Sequence, residues 1–190
     1  MKTNKFNLAN RLIHWALALT FLFILLTVFL RTGWMNKGSM GNIIQENLSQ
    51  SGITISKEDA AKIGKEVRRP MWQYHVIAGY VLIGLYVIRI AITIRQGVGF
   101  ANPFAPDSST KEKFKSWIYI LFYGLVCVSL FTGFMVVNGP KTLKDAMETV
   151  HVQSLYYAIT FIVLHIGGVL IAEMTSEKGI VSNMISGSKK

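Results

Sequence analysis

The first apolar run of the chain occupies residues 12–30 and reads LIHWALALTFLFILLTVFL, without any Asp, Glu, Lys or Arg. A helix rises about 1.5 Å per residue and the hydrocarbon core of a membrane is about 30 Å thick, so about 20 apolar residues are needed to cross it. Similar runs occupy residues 71–94, 117–137 and 150–172, and their only charged residue is Arg89. We therefore predict an all-α integral membrane protein, a four-helix bundle with transmembrane helices at about these four positions.

The composition excludes several other classes of protein. Of the 190 residues, 51% are hydrophobic and 16% are charged, which is unusual for a soluble domain. The net charge of +10 does not indicate nucleic-acid binding, because the basic residues lie at the ends of the runs and in the connections, where membrane proteins use them for orientation and lipid contact. With one cysteine and no C-x-x-C-H motif, a disulfide framework and a covalent c-type haem are both excluded. We predict a single membrane domain over residues 1–190, in contact with lipid and without a nucleic-acid partner.

The connection between the first two runs, residues 31–70, is long and polar. Its segment SKEDAAKIGKEVRRP starts at Ser56 with a pattern similar to a capping box, and apolar residues then recur at helical spacing. We predict a short amphipathic helix at 57–68 that lies on the membrane or on a partner, or that only covers the bundle.

Basic residues near the ends of the runs indicate the orientation. Lys2, Lys5 and Arg11 precede the first run, which is too long for the apolar part of a cleaved signal peptide and is followed by no typical cleavage site. We therefore interpret this run as a retained anchor. The bias of basic residues between the two sides is slight, and it favours both termini in the cytoplasm.

All four histidines of the chain, His14, His75, His151 and His165, lie inside apolar runs. Ionisable residues are costly there and usually face the bundle interior, where they serve a function. A single histidine of this kind is often only a hydrogen-bonded core residue, but four of four favour a function. His151 and His165 are 14 positions apart; on a helix they face nearly the same way and are separated by about 21 Å along the axis. They cannot share one metal ion, but they can serve two centres, one near each surface.

The alternating direction of the helices predicts how the histidines pair. His14 lies near the start of the first helix, close to the membrane face that carries the N-terminus. His75 and His151 lie in the first turns of the second and fourth helices, which both start at the opposite face. His165 lies deeper in the fourth helix, back toward the level of His14. The pairs matched in depth are therefore His14 with His165 and His75 with His151.

Two histidines for each centre favour haem over zinc. A structural zinc site usually needs four protein ligands, whereas haem supplies four nitrogens itself and needs only axial ligands, which a helix bundle can present. Two axial histidines leave no open position on the iron, and such a centre suits electron transfer. We predict two haem groups in the core of the bundle, which together conduct electrons across the membrane.

Further residues are candidates for contact with the cofactors. Gly79 and Gly168 lie close to histidines and would leave room for a flat macrocycle, although small residues also serve helix packing in membranes. Arg89 falls 14 residues after the histidine of its own helix, so it would face the other centre and could pair with a haem propionate; otherwise its side chain would extend to the nearby surface. Arg11 and Arg69 are lesser candidates for the same role.

Three segments of the chain resemble one known family. RLIHWALAL at 11–19, YHVIAGYVLIGLYVIRI at 74–90 and HVQSLYYAITFIVLH at 151–165 are similar to segments of the bacterial cytochrome b561 family, which is related to the cytochrome b subunits of nickel-iron hydrogenases. The resemblance covers the four helices, and the histidine set is its specific part. The long connection at 31–70 departs from the shortest members of the family.

The resemblance implies a function for the whole chain. In that family four helices hold two b haems, each between two histidines, which implies His14, His165, His75 and His151 as the iron ligands. The family exchanges electrons with the quinone pool of the bacterial cytoplasmic (inner) membrane. The expected function is therefore a di-haem b-type cytochrome that carries electrons between quinone or quinol and a redox partner, with no catalytic residue assigned.

Two alternatives remain open at this point. The chain could be the cytochrome b membrane-anchor subunit of a larger respiratory oxidoreductase such as a hydrogenase or a reductase, with segment 56–70 as the docking surface. It could instead be a haem-free proton or solute carrier that uses its membrane histidines as relays. An oligomer is compatible with all three functions.

Overall fold

The computed structural model describes residues 6–97 and 102–187, so Lys2 and Lys5 of the orientation argument lie outside the described residues. In the described part the chain is helical and contains no strand, which confirms the predicted all-α class. The helices found there are α1 (Leu8–Thr32), α2 (Lys37–Gln50), α3 (Lys57–Val67), α4 (Arg69–Gln96), α5 (Thr110–Asn138), α6 (Lys141–Val152), α7 (Ser154–Met174) and α8 (Ile180–Ser186).

Four helical stretches are long and apolar enough to cross a membrane: Leu8–Thr32, Lys57–Gln96, Thr110–Asn138 and Lys141–Met174. Their most apolar windows bury only 6% to 11% of their residues inside the protein, so most of their apolar side chains are left for contact with lipid. This confirms the prediction of a four-helix, multi-pass membrane protein.

The helices extend beyond the predicted spans, and two boundaries bear on the site. Helix α4 already contains Pro70 in its first turn, where proline is tolerated because its missing N–H would have no partner inside the helix. The predicted span 150–172 is divided, since α6 ends at Val152 and α7 begins at Ser154. His151 therefore lies in the last turn of α6 and not in the first turn of one continuous spanning helix.

The internal contacts divide the chain into two units, and each is described by itself. In the unit Ala18–Leu82, helices α2 and α3 pack closely against each other. A Cβ atom built on Gly64 would lie 2.9 Å from the backbone nitrogen of Gly41 and 2.9 Å from the backbone oxygen of Lys37. The two backbones approach this closely because glycine carries no side chain. Helix α3 lies at the position where the sequence predicts an amphipathic helix, 57–68.

Helix α2 was not predicted from the sequence. Its segment KGSMGNIIQENLSQ contains two glycines and several turn-forming residues, which lower its helix propensity. The helix starts at Asn36, whose side chain accepts hydrogen bonds from the backbone N–H groups of Gly38 and Ser39. This cap and the packing against α3 outweigh the weak local propensity.

In the unit formed by Met1–Leu17 and Ile83–Lys190, the short helix α8 is bound at both ends. The Glu173 carboxylate accepts hydrogen bonds from the backbone N–H groups of Gly179, at 2.8 Å, and of Val181, at 3.0 Å. At the other end, Arg11 donates to the backbone carbonyls of Met184 and Ile185. A carboxylate at the start of a helix and a cation at its end both match the helix dipole, so these contacts fix α8 next to the start of α1.

Candidate metal centres

Two of the predicted ligands, His14 of α1 and His165 of α7, meet within the unit formed by Met1–Leu17 and Ile83–Lys190. Their ring centroids are 6.1 Å apart and their planes are inclined by 49°. A metal–imidazole bond is about 2 Å long and the ring centroid lies about 1 Å behind the bonding nitrogen, so two axial imidazoles have centroids about 6 Å apart. The separation of His14 and His165 fits one metal ion between them. Within residues 6–97 and 102–187, no cluster of three or more His, Cys, Asp or Glu that could hold a metal ion is found.

Aromatic side chains surround the His165 ring. Phe161, one turn earlier on α7, stacks on it with centroids 5.4 Å apart and planes 12° apart. Tyr119 of α5 meets the ring edge-on at a centroid distance of 6.4 Å. Phe122 of α5 stacks in turn on Phe161. These rings hold the imidazole in one orientation and form an apolar wall, which is the environment that excludes water from a redox centre.

The Nδ1 atom of His165 is buried and has no hydrogen-bond partner among the described residues. Leaving a buried polar group without a partner costs about 1–3 kcal/mol. Such unpaired groups are typical of functional sites, where a side chain is placed to bind a ligand and not to form a hydrogen bond within the protein. The position of His165 therefore fits a residue that serves a bound group.

His75 lies in the other unit, Ala18–Leu82, and its Nδ1 atom is 2.8 Å from the Oγ1 atom of Thr27. The same hydroxyl lies 2.6 Å from the backbone carbonyl of Ile24 and donates its only hydrogen to it. The hydroxyl can therefore only accept from His75, and the proton of the neutral imidazole must sit on Nδ1. The lone pair that a metal needs is then on Nε2.

The ring of His75 is also held by stacking. Trp72, one turn earlier on α4, stacks on it with centroids 5.6 Å apart and planes 6° apart. The guanidinium of Arg31 lies 4.7 Å from the centroid of the Trp72 ring, in cation–π geometry. Arg68 donates to the backbone carbonyl of Arg31 at 3.0 Å. The end of α1 and the start of α4 are thus tied together beside His75.

His151 reaches the same tautomer through a different partner. Its Nδ1 atom lies 3.0 Å from the backbone carbonyl of Ser129 on α5, and a carbonyl can only accept a hydrogen bond. The Thr132 hydroxyl, which donates to the carbonyl of Val128 at 2.8 Å, lies 3.4 Å from the same nitrogen. The proton is therefore on Nδ1 of His151 as well, and Nε2 carries the lone pair.

The glycines near the histidines fall into two groups. A Cβ atom on Gly79 or Gly168 would meet no atom within 4 Å, so these two predicted residues border open space. At Gly133 of α5 the same atom would lie 2.7 Å from Cε1 and 3.1 Å from Nδ1 of His151. Gly133 therefore lets the His151 ring lie directly on the α5 backbone.

The three predicted arginines lie in different surroundings. Arg89 of α4 donates from Nε to the hydroxyl of Tyr123 at 3.1 Å. Arg11 binds the end of α8. Arg69 forms an exposed ion pair with Glu66 at 3.1 Å, which contributes little to stability.

Several residues at these sites were missed from the sequence: Thr27, Ser129, Thr132, Gly133 and Tyr123. Each contacts its partner from another helix, and only the register between helices shows the contact. The sequence carries one weak signal, since a hydroxyl residue inside an apolar run must find an acceptor.

The chain matches one known protein family. The sequence pattern of the family described as prokaryotic cytochrome b561 matches residues 5–187 of the chain. Neither curated proteins nor solved structures yielded a match. Because the family match covers almost the whole chain, the chain belongs to the prokaryotic cytochrome b561 family and is a multi-pass membrane b-type cytochrome that binds haem b and takes part in electron transfer.

Proposed function

We propose that this cytochrome holds two b haems, one between His14 and His165 and one between His75 and His151, and carries electrons across the bacterial inner membrane between quinol and a redox partner. The observation that carries the proposal is the 6.1 Å separation of the His14 and His165 rings, which suits two axial ligands. The second pair rests on the depth argument and on the tautomer of its two imidazoles.

A bound haem b supplies a one-electron couple, and the residues of the chain orient and protect it. The acceptors on Nδ1 of His75 and His151 leave each Nε2 lone pair available for a metal and would raise the basicity of a ligand there. The wall formed by Phe161, Tyr119 and Phe122 excludes water from the His165 side. With two histidines on each iron no position is left for a substrate, so the centre favours electron transfer over oxygen chemistry.

Other residues would complete the sites. Gly79 and Gly168 border open space that a macrocycle can use. Arg89, whose Nε is held by Tyr123, would present its remaining N–H groups to a propionate, because a charge inside the membrane needs compensation. The present contacts of Arg11 and Arg69 make a propionate role less favourable for them than for Arg89.

The direct partners of the chain are lipid and, by our proposal, quinone. Large apolar side chains such as Leu12, Leu22 and Val163 are exposed along the spanning helices, so a lipid-soluble quinol can approach within the membrane. Basic residues are slightly more numerous on the side of the membrane that carries the N-terminus, which supports both termini in the cytoplasm.

A second candidate function is the membrane-anchor subunit of a larger oxidoreductase. The observation that favours it is the α2–α3 hairpin, where Ile43, Ile63 and Val67 are exposed on the connection between the apolar runs 12–30 and 71–94. Such side chains on a polar connection suit contact with another subunit. Co-purification of an iron–sulfur or molybdenum subunit would support this function; a stable protein that quinol reduces on its own would support the first.

A pyridine-haemochrome assay on the purified full-length protein tests the proposal. We expect two b haems per chain and sharp reduced bands in the visible spectrum. One haem per chain would contradict the pairing of all four histidines. No haem at all would contradict the proposal altogether.

A further inference from the structure

The hydroxyl of Thr27 lies at hydrogen-bond distance from Nδ1 of His75, at 2.8 Å. Thr27 is 5% exposed, so water does not compete freely for this contact. Its single hydrogen is directed to the carbonyl of Ile24 at 2.6 Å. The hydroxyl oxygen is therefore a fixed acceptor that points at the imidazole.

We propose that Thr27 is a positioning residue for the iron ligand His75: its hydroxyl fixes the tautomer and orientation of the imidazole and lowers the reduction potential of the haem that His75 binds. The inference rests on the proposed function, because it takes His75 to be a haem ligand. It adds a residue that touches neither the haem nor the iron.

The direction of the effect follows from the hydrogen bond. A proton on Nδ1 that is shared with an acceptor leaves more electron density on the ring, so Nε2 becomes a stronger donor to a metal. A stronger donor stabilises the ferric state more than the ferrous state, since the ferric ion carries the higher charge. Removing the acceptor should therefore raise the potential of this centre.

The effect should be confined to one of the two centres. Nδ1 of His165 is buried and has no hydrogen-bond partner in the part of the chain that the structure describes. His165 therefore has no acceptor on Nδ1 that corresponds to Thr27. The haem bound by His14 and His165 then acts as an internal reference in the same molecule.

The test uses the full-length holoprotein in detergent and the variants Thr27→Val and Thr27→Ser. Valine has nearly the shape of threonine but no acceptor, and serine restores the hydroxyl. Thr32→Val is the matched control, because Thr32 lies on the same helix and donates in the same way to a backbone carbonyl, that of Val28, at 2.8 Å. Potentiometric titration gives the midpoint of each haem, and His75→Ala identifies which midpoint belongs to the His75 centre.

We expect Thr27→Val to raise that midpoint. At a fixed potential, the ratio of reduced to oxidised iron should increase threefold to tenfold; a tenfold increase corresponds to about 59 mV for one electron. The midpoint of the other haem should not change in Thr27→Val. Both midpoints of Thr27→Ser and of Thr32→Val should equal those of the wild type. If Thr27→Val instead loses the haem while Thr27→Ser keeps both haems, the hydroxyl is still the group that holds His75, and the proposal stands.

Two results would overturn the proposal. One is a Thr27→Val protein with two haems and two unchanged midpoints. The other is loss of the same haem from both Thr27→Val and Thr27→Ser, since the hydroxyl would then not be the group that matters. Failure of the proposed function looks different, because the wild-type protein itself would then bind fewer than two haems.

Discussion

The imidazole of His151 lies directly on the backbone of α5 at Gly133, where a Cβ atom would come within 2.7 Å of the ring. Contacts that short do not occur, so a side chain at Gly133 would push the ring away. The ring would also leave the carbonyl of Ser129, whose oxygen lies 3.0 Å from Nδ1 and accepts its proton. This one position therefore controls both the location and the tautomer of a proposed iron ligand.

We predict that Gly133→Ala selectively weakens the binding of the haem that we propose lies between His75 and His151, with a loss of about 10–100-fold in affinity, as is typical when the partners of a metal ligand are disturbed. Haem content and the titration of the remaining haem measure the effect. Gly124→Ala is the matched control on the same helix, because a Cβ atom there meets nothing within 4 Å. Equal haem content in the two variants would show that the contact with His151 is unimportant.

The pairing itself is tested by single and double substitutions. We predict that His14→Ala and His165→Ala each remove the same haem, and that the double variant keeps the other haem unchanged, because the two rings lie 6.1 Å apart and, by our proposal, bind one iron. The pyridine-haemochrome assay and the remaining midpoint measure this. A double variant that binds no haem, although it is still folded by circular dichroism, would count against the pairing.

The charge of Arg89 should tune the nearest haem. We predict that Arg89→Gln lowers the midpoint of one centre by roughly 59 mV, a tenfold change in the redox ratio, because a removed cation no longer favours the reduced form. Tyr123→Phe removes the acceptor of Arg89 and should give a smaller shift in the same direction. Arg95→Gln, at the exposed end of the same helix, is the control. Equal shifts in Arg95→Gln and Arg89→Gln would indicate only a general change of net charge.

The α2–α3 hairpin should depend on Gly64. We predict that Gly64→Val destabilises this hairpin by about 1–3 kcal/mol, since backbone atoms at 2.9 Å cannot move aside as a side chain can. Limited proteolysis between residues 33 and 70 measures the opening of the hairpin, and the haem spectrum should stay unchanged. Lys65→Ala, at the neighbouring exposed position of α3, should leave the hairpin as resistant to the protease as in the wild type.

The features predicted well from the sequence are those that depend on distance along the chain. Crossing a membrane requires a minimum number of apolar residues, so the four runs predict the four spans. Depth in the membrane follows from position along each run, which led to the pairing of His14 with His165 as iron ligands. The structure places their rings 6.1 Å apart, and their role as ligands stays a prediction.

The features that were missed depend on contacts between helices. Thr27 beside His75 and Gly133 beside His151 have no common spacing in the sequence, and only the register of the helices brings them together. Helix α2 was missed for the same reason, because its weak propensity is overcome by close packing at Gly41 and Gly64. Gly79 and Gly168 were predicted from their small size alone. Size does not distinguish a glycine next to open space from a glycine in close contact with another helix.

The contact between α8 and the start of α1 can form only late in the synthesis of the chain. Arg11 and Met184, which form one of its contacts, are 173 positions apart in the chain. At a synthesis rate of about 5–20 residues per second, the start of the first helix waits roughly 10–35 s before its last partner leaves the ribosome. This contact can form only after Met184 has been synthesised, so α1 reaches its final contacts long after its own synthesis.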